Sequence, residues 1–327
     1  YAAMLSDALE MALIPSLEEI QSTLNGVAIE HASTAMLART HGQPASPTTF
    51  GKEIRVFESR LMRQYERLRK SLILVKFSGA TGNWSAHIAG APDVDWMEFT
   101  RKFVESFNVA PKTEHKKKTG VIRIELNDVT TQIEPHDTYA ELFDNLRRIN
   151  IIFTDLSQDM WRYISDGWIG QKAKEGEVGS SAMPHKVNPI DFESAEGNLG
   201  IANALFNHFS NKLPISRLQR DLSDSTVLRV FGTAFAHSLI GYSALARGLS
   251  KISVNAEVML QALQAHPEVI AEAIQTVLRR EGVAVPYEKL KSLTRGKEIA
   301  MADLEQFIDA LDVDAKIKKR LKEFTPE

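Results

Sequence analysis

The sequence predicts an all-α protein: a long-helix bundle domain over residues 1–250, carrying an active-site loop, and a small helical domain over residues 251–327. Three observations lead there. Between 137 and 165, Tyr139, Leu142, Leu146, Ile149, Phe153, Leu156, Met160 and Tyr163 alternate steps of three and four, a sustained heptad. A second stripe, Phe50, Ile54, Phe57, Leu61, Tyr65, Leu68, Leu72 and Val75, keeps the same spacing. Beyond Val254 the apolar runs shorten and are broken at His266-Pro267, Gly282, Val285-Pro286 and Gly296.

Taken in order, residues 2 to about 38 read as one long helix or two, with Pro15 marking a kink or break. Gly42 and Pro44 then stop it, leaving Thr40 and His41 at a helix end from which side chains reach a cleft. Ser46-Pro47 opens a second helix; roughly 28 residues at 1.5 Å each give it about 42 Å, a length suited to a bundle. A loop over Gly79 to Gly90 precedes a short helix around Trp96 to Phe107. The segment 110–128 carries His115-Lys116-Lys117-Lys118 and the alternating Val121 to Leu126, and reads as a solvated hairpin or insertion. Its basic run is brief and lacks interleaved aromatics, so no nucleic-acid partner is predicted. The heptad helix comes next. Helices near 191–211 and 223–250 carry apolar residues on more than one side, which asks for subunit contacts as well as intrachain burial.

Composition narrows the functional classes. The 327 residues are 43% hydrophobic and 25% charged with a formal net charge of -3, so any anion must be held by local positive clusters. No cysteine is present, which removes disulfides, thiolate metal sites and cysteine nucleophiles and fits a reducing cytoplasm. No apolar run approaches the roughly 20 residues that span a bilayer, so no membrane association is predicted. Helical spacing is under way at Ala2, which predicts that the chain starts inside a domain.

The stretch least like scaffold is Gly179 to Pro189. It holds two hydroxyls, an imidazole, an ammonium and an amide, while Pro184 and Pro189 forbid a helix through it. An active-site loop is the reading. Farther on, Arg220, Ser225 and Arg229 offer two guanidiniums and a hydroxyl suited to a phosphate; ion pairs with Asp221 and Asp224 are the alternative. Neither a glycine-rich phosphate loop nor a two-histidine zinc helix occurs, and His136 beside Asp137 lacks a third ligand. No metal and no organic cofactor are predicted.

The loop Gly179 to Pro189 closely resembles the signature of the fumarase/aspartase superfamily, and Thr40-His41-Gly42-Gln43-Pro44 matches its histidine motif. Within it, Thr130 to Asp137 and Ser216 to Arg229 resemble the adenylosuccinate lyase family of bacterial type. The resemblance implies elimination of fumarate from adenylosuccinate, giving AMP, and from SAICAR, giving AICAR, in purine nucleotide biosynthesis. An argininosuccinate lyase-like enzyme, or a non-catalytic structural protein on the same scaffold, is the alternative. It implies Ser181 as base, with His185 the rival on residue chemistry, and His41 as the second catalytic group. Thr40 and Gln132 would bind substrate, Lys186 and Asn188 would hold its carboxylates and the developing charge, and Glu193 would orient the lysine loop. Arg220, Ser225 and Arg229 would hold the nucleotide phosphate. The resemblance further implies a homotetramer with shared active sites, a missing N-terminal domain and a missing C-terminal tail. The segment alone is therefore expected to be nearly inactive. Segment 110–128 departs from the family, whose connection there is shorter.

Overall fold

The computed structural model describes residues 1–108, 122–172, 183, 186–283 and 299–327. Helices dominate. Among the described residues the strands are short and form three two-stranded sheets. The chain opens with α1 (Ala2–Ala8), a π-helical stretch Leu9–Leu13, and α2 (Ile14–Glu30). Pro15 does not break this run. The wider register absorbs it: Ile14 donates to the Leu9 carbonyl just before the proline, which has no N–H to give.

The helix expected to reach residue 38 stops at Glu30. The chain then forms a hairpin, β1 (Ala35–Thr40) with β2 (Gln43–Thr49), antiparallel with an irregularity between Ala38 and Arg39. Pro47, read from sequence as a helix start, pairs with Leu37 in this ribbon, where every strand is an edge and a missing N–H is tolerated. The second helix, α3, accordingly begins at Phe50 and ends at Leu68. Leu72–Val75, the end of the predicted stripe, is a strand instead. This β3 pairs in parallel with β4 (Arg123–Leu126), so the alternation near 123 is a strand. Between them lie α4 (Ser85–Gly90) and α5 (Trp96–Glu105); the basic run His115 to Lys118 lies outside the described residues.

The heptad helix is α6 (Asp137–Ser165), and α7 (Ile190–Lys212) follows a short β5 (Ile169–Gln171). The expected helix over 223–250 is divided into α8 (Ser223–Leu228) and α9 (Phe231–Lys251), after which come β6 (Ile252–Val254), α10 (Ala256–Gln264) and α11 (Ala271–Arg280). The last described helices are α12 (Met301–Asp309) and α13 (Ala315–Lys322).

Two compact units are drawn from interleaved stretches. One comprises Tyr1–Asn25, Phe57–Ile164 and Gln171–Ile252; the other comprises Gly26–Val56, Ser165–Gly170 and Ser253–Glu327. The core of the first lies between α6, α7 and α9. Phe143 is ringed by Phe206, Phe209 and Phe231 at centroid distances of 5.6, 5.4 and 4.9 Å, all four buried. α7 and α9 approach closely because α9 offers no side chain at Gly241, where a Cβ would lie 2.8 Å from Leu199. One polar triad is sealed inside this apolar interior: Asn150 donates to Ser238 (3.1 Å) and accepts from the Tyr242 hydroxyl (2.7 Å). In the second unit α10 packs on β1, and the end of α2 meets the start of α3 at Gly51, whose amide donates to the His31 carbonyl at 2.9 Å.

Candidate active site

Thr40 and His41 sit at the tip of the β1–β2 hairpin. His41 and Gly42 both have positive φ, 54° and 74°, the signature of a two-residue type I′ turn whose twist matches the strands it joins. Arg39 braces the turn: its guanidinium donates to the Gly42 carbonyl (3.1 Å) and lies 5.8 Å over the Trp168 ring. The imidazole is therefore carried exposed on a rigid local device rather than at a helix end. Both residues belong to the second unit.

The remaining described candidates belong to the first. Lys186, Asn188 and Glu193 lead into and begin α7. Lys186 donates its amide to the Met183 carbonyl (3.0 Å), and Gln171 holds the Val187 carbonyl (3.2 Å). Glu193 accepts from the Trp161 indole at 3.0 Å. Beside it, buried Asp191 pairs with Lys251 (2.6 Å) and Arg247 (3.2 Å), pinning the start of α7 to the end of α9. Ser181 and His185 lie outside the described residues.

Gln132 and Arg220 are brought together. The Gln132 amide donates to the Gln219 carbonyl (3.2 Å), joining the turn before α6 to the turn before α8. The ion pairs weighed for Arg220 and Arg229 do not form among the described residues. Asp221 is engaged by Arg217 (3.2 Å) and by the Ser223 hydroxyl and amide, which with the Arg217 amide hold its carboxyl down at about 2. Ser225 lies on α8 and Arg229 caps its C-terminus, while Arg220 and Arg229 stay exposed.

Arg220 also rims a cleft of about 490 Å³ whose polar wall holds residues that sequence reasoning passed over: Lys76, Glu134, His136 and Asp224. His136 was considered only as an incomplete metal site and Asp224 only as an ion-pair partner; their burial is set by tertiary structure and leaves no local sequence signal. His136 is 8% exposed, has φ of 66°, stacks edge-on against Tyr139 at 4.9 Å, and its Nδ1 has no partner among the described residues. Burial lowers its pKa, against the opposing pull of Asp224 and Asp137. Burial likewise raises the Glu134 carboxyl, although Asn127 (3.1 Å) and the His136 amide donate to it. Asp224 is 2% exposed, with Oδ1 unpartnered among the described residues. Lys76, which donates to the Gly79 carbonyl, is depressed by burial and by the charge of Arg220. No group of three or more potential metal ligands occurs among the described residues.

Comparison with known proteins defines first the class. Residues 1–203 match the family described as Lyase. The fold is shared with 3-carboxy-cis,cis-muconate lactonizing enzyme from Pseudomonas putida, at a TM-score of 0.72 and 21% identity over 98% of this chain and 69% of that one. Fumarate lyase from Mesorhizobium sp. BNC1 is equally close, at 0.72 and 18% identity over 98% and 70%. The shared scaffold is mainly helical, with short strands. Residues 216–327 then match the family described as Adenylosuccinate lyase C-terminal. Adenylosuccinate lyase of Vibrio cholerae is 46% identical over 326 residues, all of this chain and 68% of the relative. That of Legionella pneumophila is 48% identical over 327 residues, again 68% of its length, and that of Dictyostelium discoideum 49% over 325 residues, 67% of its length. The chain belongs to the adenylosuccinate lyase family.

Proposed function

We propose that the chain is a carbon–nitrogen lyase that splits adenylosuccinate into AMP and fumarate, and SAICAR into AICAR and fumarate, within purine nucleotide biosynthesis. The observation that supports this most strongly is identity of 46–49% to adenylosuccinate lyases along essentially the whole chain. The proposed chemistry needs a base beside a carboxylate, donors for the developing charge, and an acid for the departing nitrogen. Ser181, as alkoxide, removes the proton; its electron pair becomes the double bond of fumarate as the C–N bond breaks, and His41 protonates the nitrogen. A serine hydroxyl needs activation for that task, and Lys186 of the same loop supplies the charge that favours the alkoxide. Asn188 assists Lys186 on the carboxylates, Glu193 orients the loop, and Thr40 and Gln132 position substrate. Arg220, Ser225 and Arg229 take the phosphate; the two exposed guanidiniums support that assignment.

The protein is proposed to act on small molecules only, to work in the cytoplasm, and to assemble as a homotetramer with sites shared between subunits. In support, Ile151, Ile201 and Ile240 are exposed on α6, α7 and α9, and no described helix is long and apolar enough to cross a membrane. Fumarate absorbance after addition of adenylosuccinate, SAICAR or argininosuccinate tests the assignment. With full-length protein, release from the two purine substrates is expected; turnover of argininosuccinate alone would overturn it. Nucleotide binding without fumarate release from any of the three would mark a non-catalytic member of the family.

A further inference from the structure

The cleft beneath Arg220 has three chemically distinct walls. Cations lie at its rim in Arg220 and Lys76, and aromatic rings line one side, Phe77 and Phe103, 5.3 Å apart and 36% and 43% exposed. Its floor holds two deeply buried polar atoms with no partner among the described residues, His136 Nδ1 and Asp224 Oδ1. Such atoms are costly to bury unless something bonds to them. A cleft of about 490 Å³ lies within the range of small-molecule sites.

We propose that this cleft is the nucleoside subsite of the enzyme, with Asp224 and His136 binding the vicinal hydroxyls of a ribose whose phosphate is held by Arg220. The inference rests on the phosphate assignment above and extends it to residues not counted among the site. A diol suits the floor because each hydroxyl both donates and accepts. Asp224 Oδ1 requires a donor, while His136 Nδ1 takes either role according to its tautomer. Burial favours the neutral imidazole, so the floor offers no cation to a phosphate, which is left to the cationic rim. The exposed face of Phe77 and Phe103 is left for a planar base.

The test compares binding of AMP, 2′-deoxy-AMP and 3′-deoxy-AMP by isothermal titration calorimetry, in the wild-type chain and in Asp224→Ala and His136→Ala. A site built to bond a hydroxyl rejects the analogue lacking it, so at least one deoxy compound should bind roughly ten- to a hundredfold more weakly than AMP. In either variant that preference should shrink to within about threefold while binding of inorganic phosphate is unchanged. Circular dichroism establishes which variants fold; if neither does, the wild-type comparison still decides. Equal affinity of the wild type for all three nucleotides, or an undiminished preference in a folded variant, overturns the subsite and leaves the phosphate assignment standing. Absence of AMP binding altogether overturns both.

Discussion

Replacing Asn150 by leucine should cost far more than the loss of one polar side chain from a helix. Leucine keeps the branched shape of asparagine, so the packing between α6 and α9 is preserved while both hydrogen bonds vanish. The Tyr242 hydroxyl loses its acceptor and Ser238 loses its donor, in a place where all three residues are 0% exposed and water is shut out. Each orphaned group costs about 1–3 kcal/mol, so the single variant should lose about 2–6 kcal/mol of stability. Removing the two hydroxyls as well, in Asn150→Leu/Ser238→Ala/Tyr242→Phe, leaves nothing polar to desolvate, and the triple variant should return to within about 1 kcal/mol of wild type. Urea denaturation followed by far-UV circular dichroism measures both, at matched slopes. A triple variant as unstable as the single one would refute the argument, because the cost would then lie in packing rather than in stranded polar groups.

Gly82→Ala should damage substrate binding from a distance. Gly82 has φ of 77°, and a Cβ there would lie 2.1 Å from the Thr130 carbonyl oxygen, so the Thr130-Thr131 backbone must shift and carry Gln132 with it. The left-handed backbone alone costs alanine about 1–2 kcal/mol; a several-fold rise in KM for adenylosuccinate is the expected readout, and an unchanged KM would count against the role given to Gln132. His136 should make stability pH-dependent. Its folded pKa is lowered, so as pH falls below about 6.5 the unfolded chain takes up the proton first and stability drops, with a slope of up to about 1.4 kcal/mol per pH unit until the lower folded value is passed. Urea midpoints between pH 7.5 and 5.5 should show this fall in wild type and lose that component in His136→Gln. Glu134, whose folded pKa is raised, acts with the opposite sign above its ordinary value of 4.5 and does not account for a loss at pH 6.

What was legible in the sequence was periodic and long. The heptad from Tyr139 to Tyr163 fixed α6 because eight apolar or aromatic residues spaced three and four apart on one face admit no strand. The motifs carrying Thr40, His41, Gln132 and the Arg220 turn were legible as strings of chemistry. For Thr40 and His41 the backbone was not. The segment from Ala35 to Thr49 was read as helix end and helix start because Ser46-Pro47 mimics an N-cap followed by its proline. In fact, His41 takes the left-handed turn position more often given to asparagine, and a hairpin results. Leu72 to Val75 was absorbed into the preceding stripe, since four consecutive apolar residues fit a helix face and a buried strand equally well. His136 and Asp224 depend on neighbours brought in by tertiary structure, which no local pattern announces.

The parallel pairing of β3 with β4 bears on the order of assembly. Leu72 must find Arg123 and Val75 must find Leu126, so the ribbon closes only after a loop of about 50 residues has paid its closure entropy, whereas α6 gains its contacts turn by turn. Val75 and Ile124 belong to these strands and to the wall of the Arg220 cleft, so the cleft takes shape late, after the helical core beneath it. A nascent chain would thus hold its scaffold before it holds a place for nucleotide, and ligand added during refolding should accelerate only the last, ribbon-closing phase.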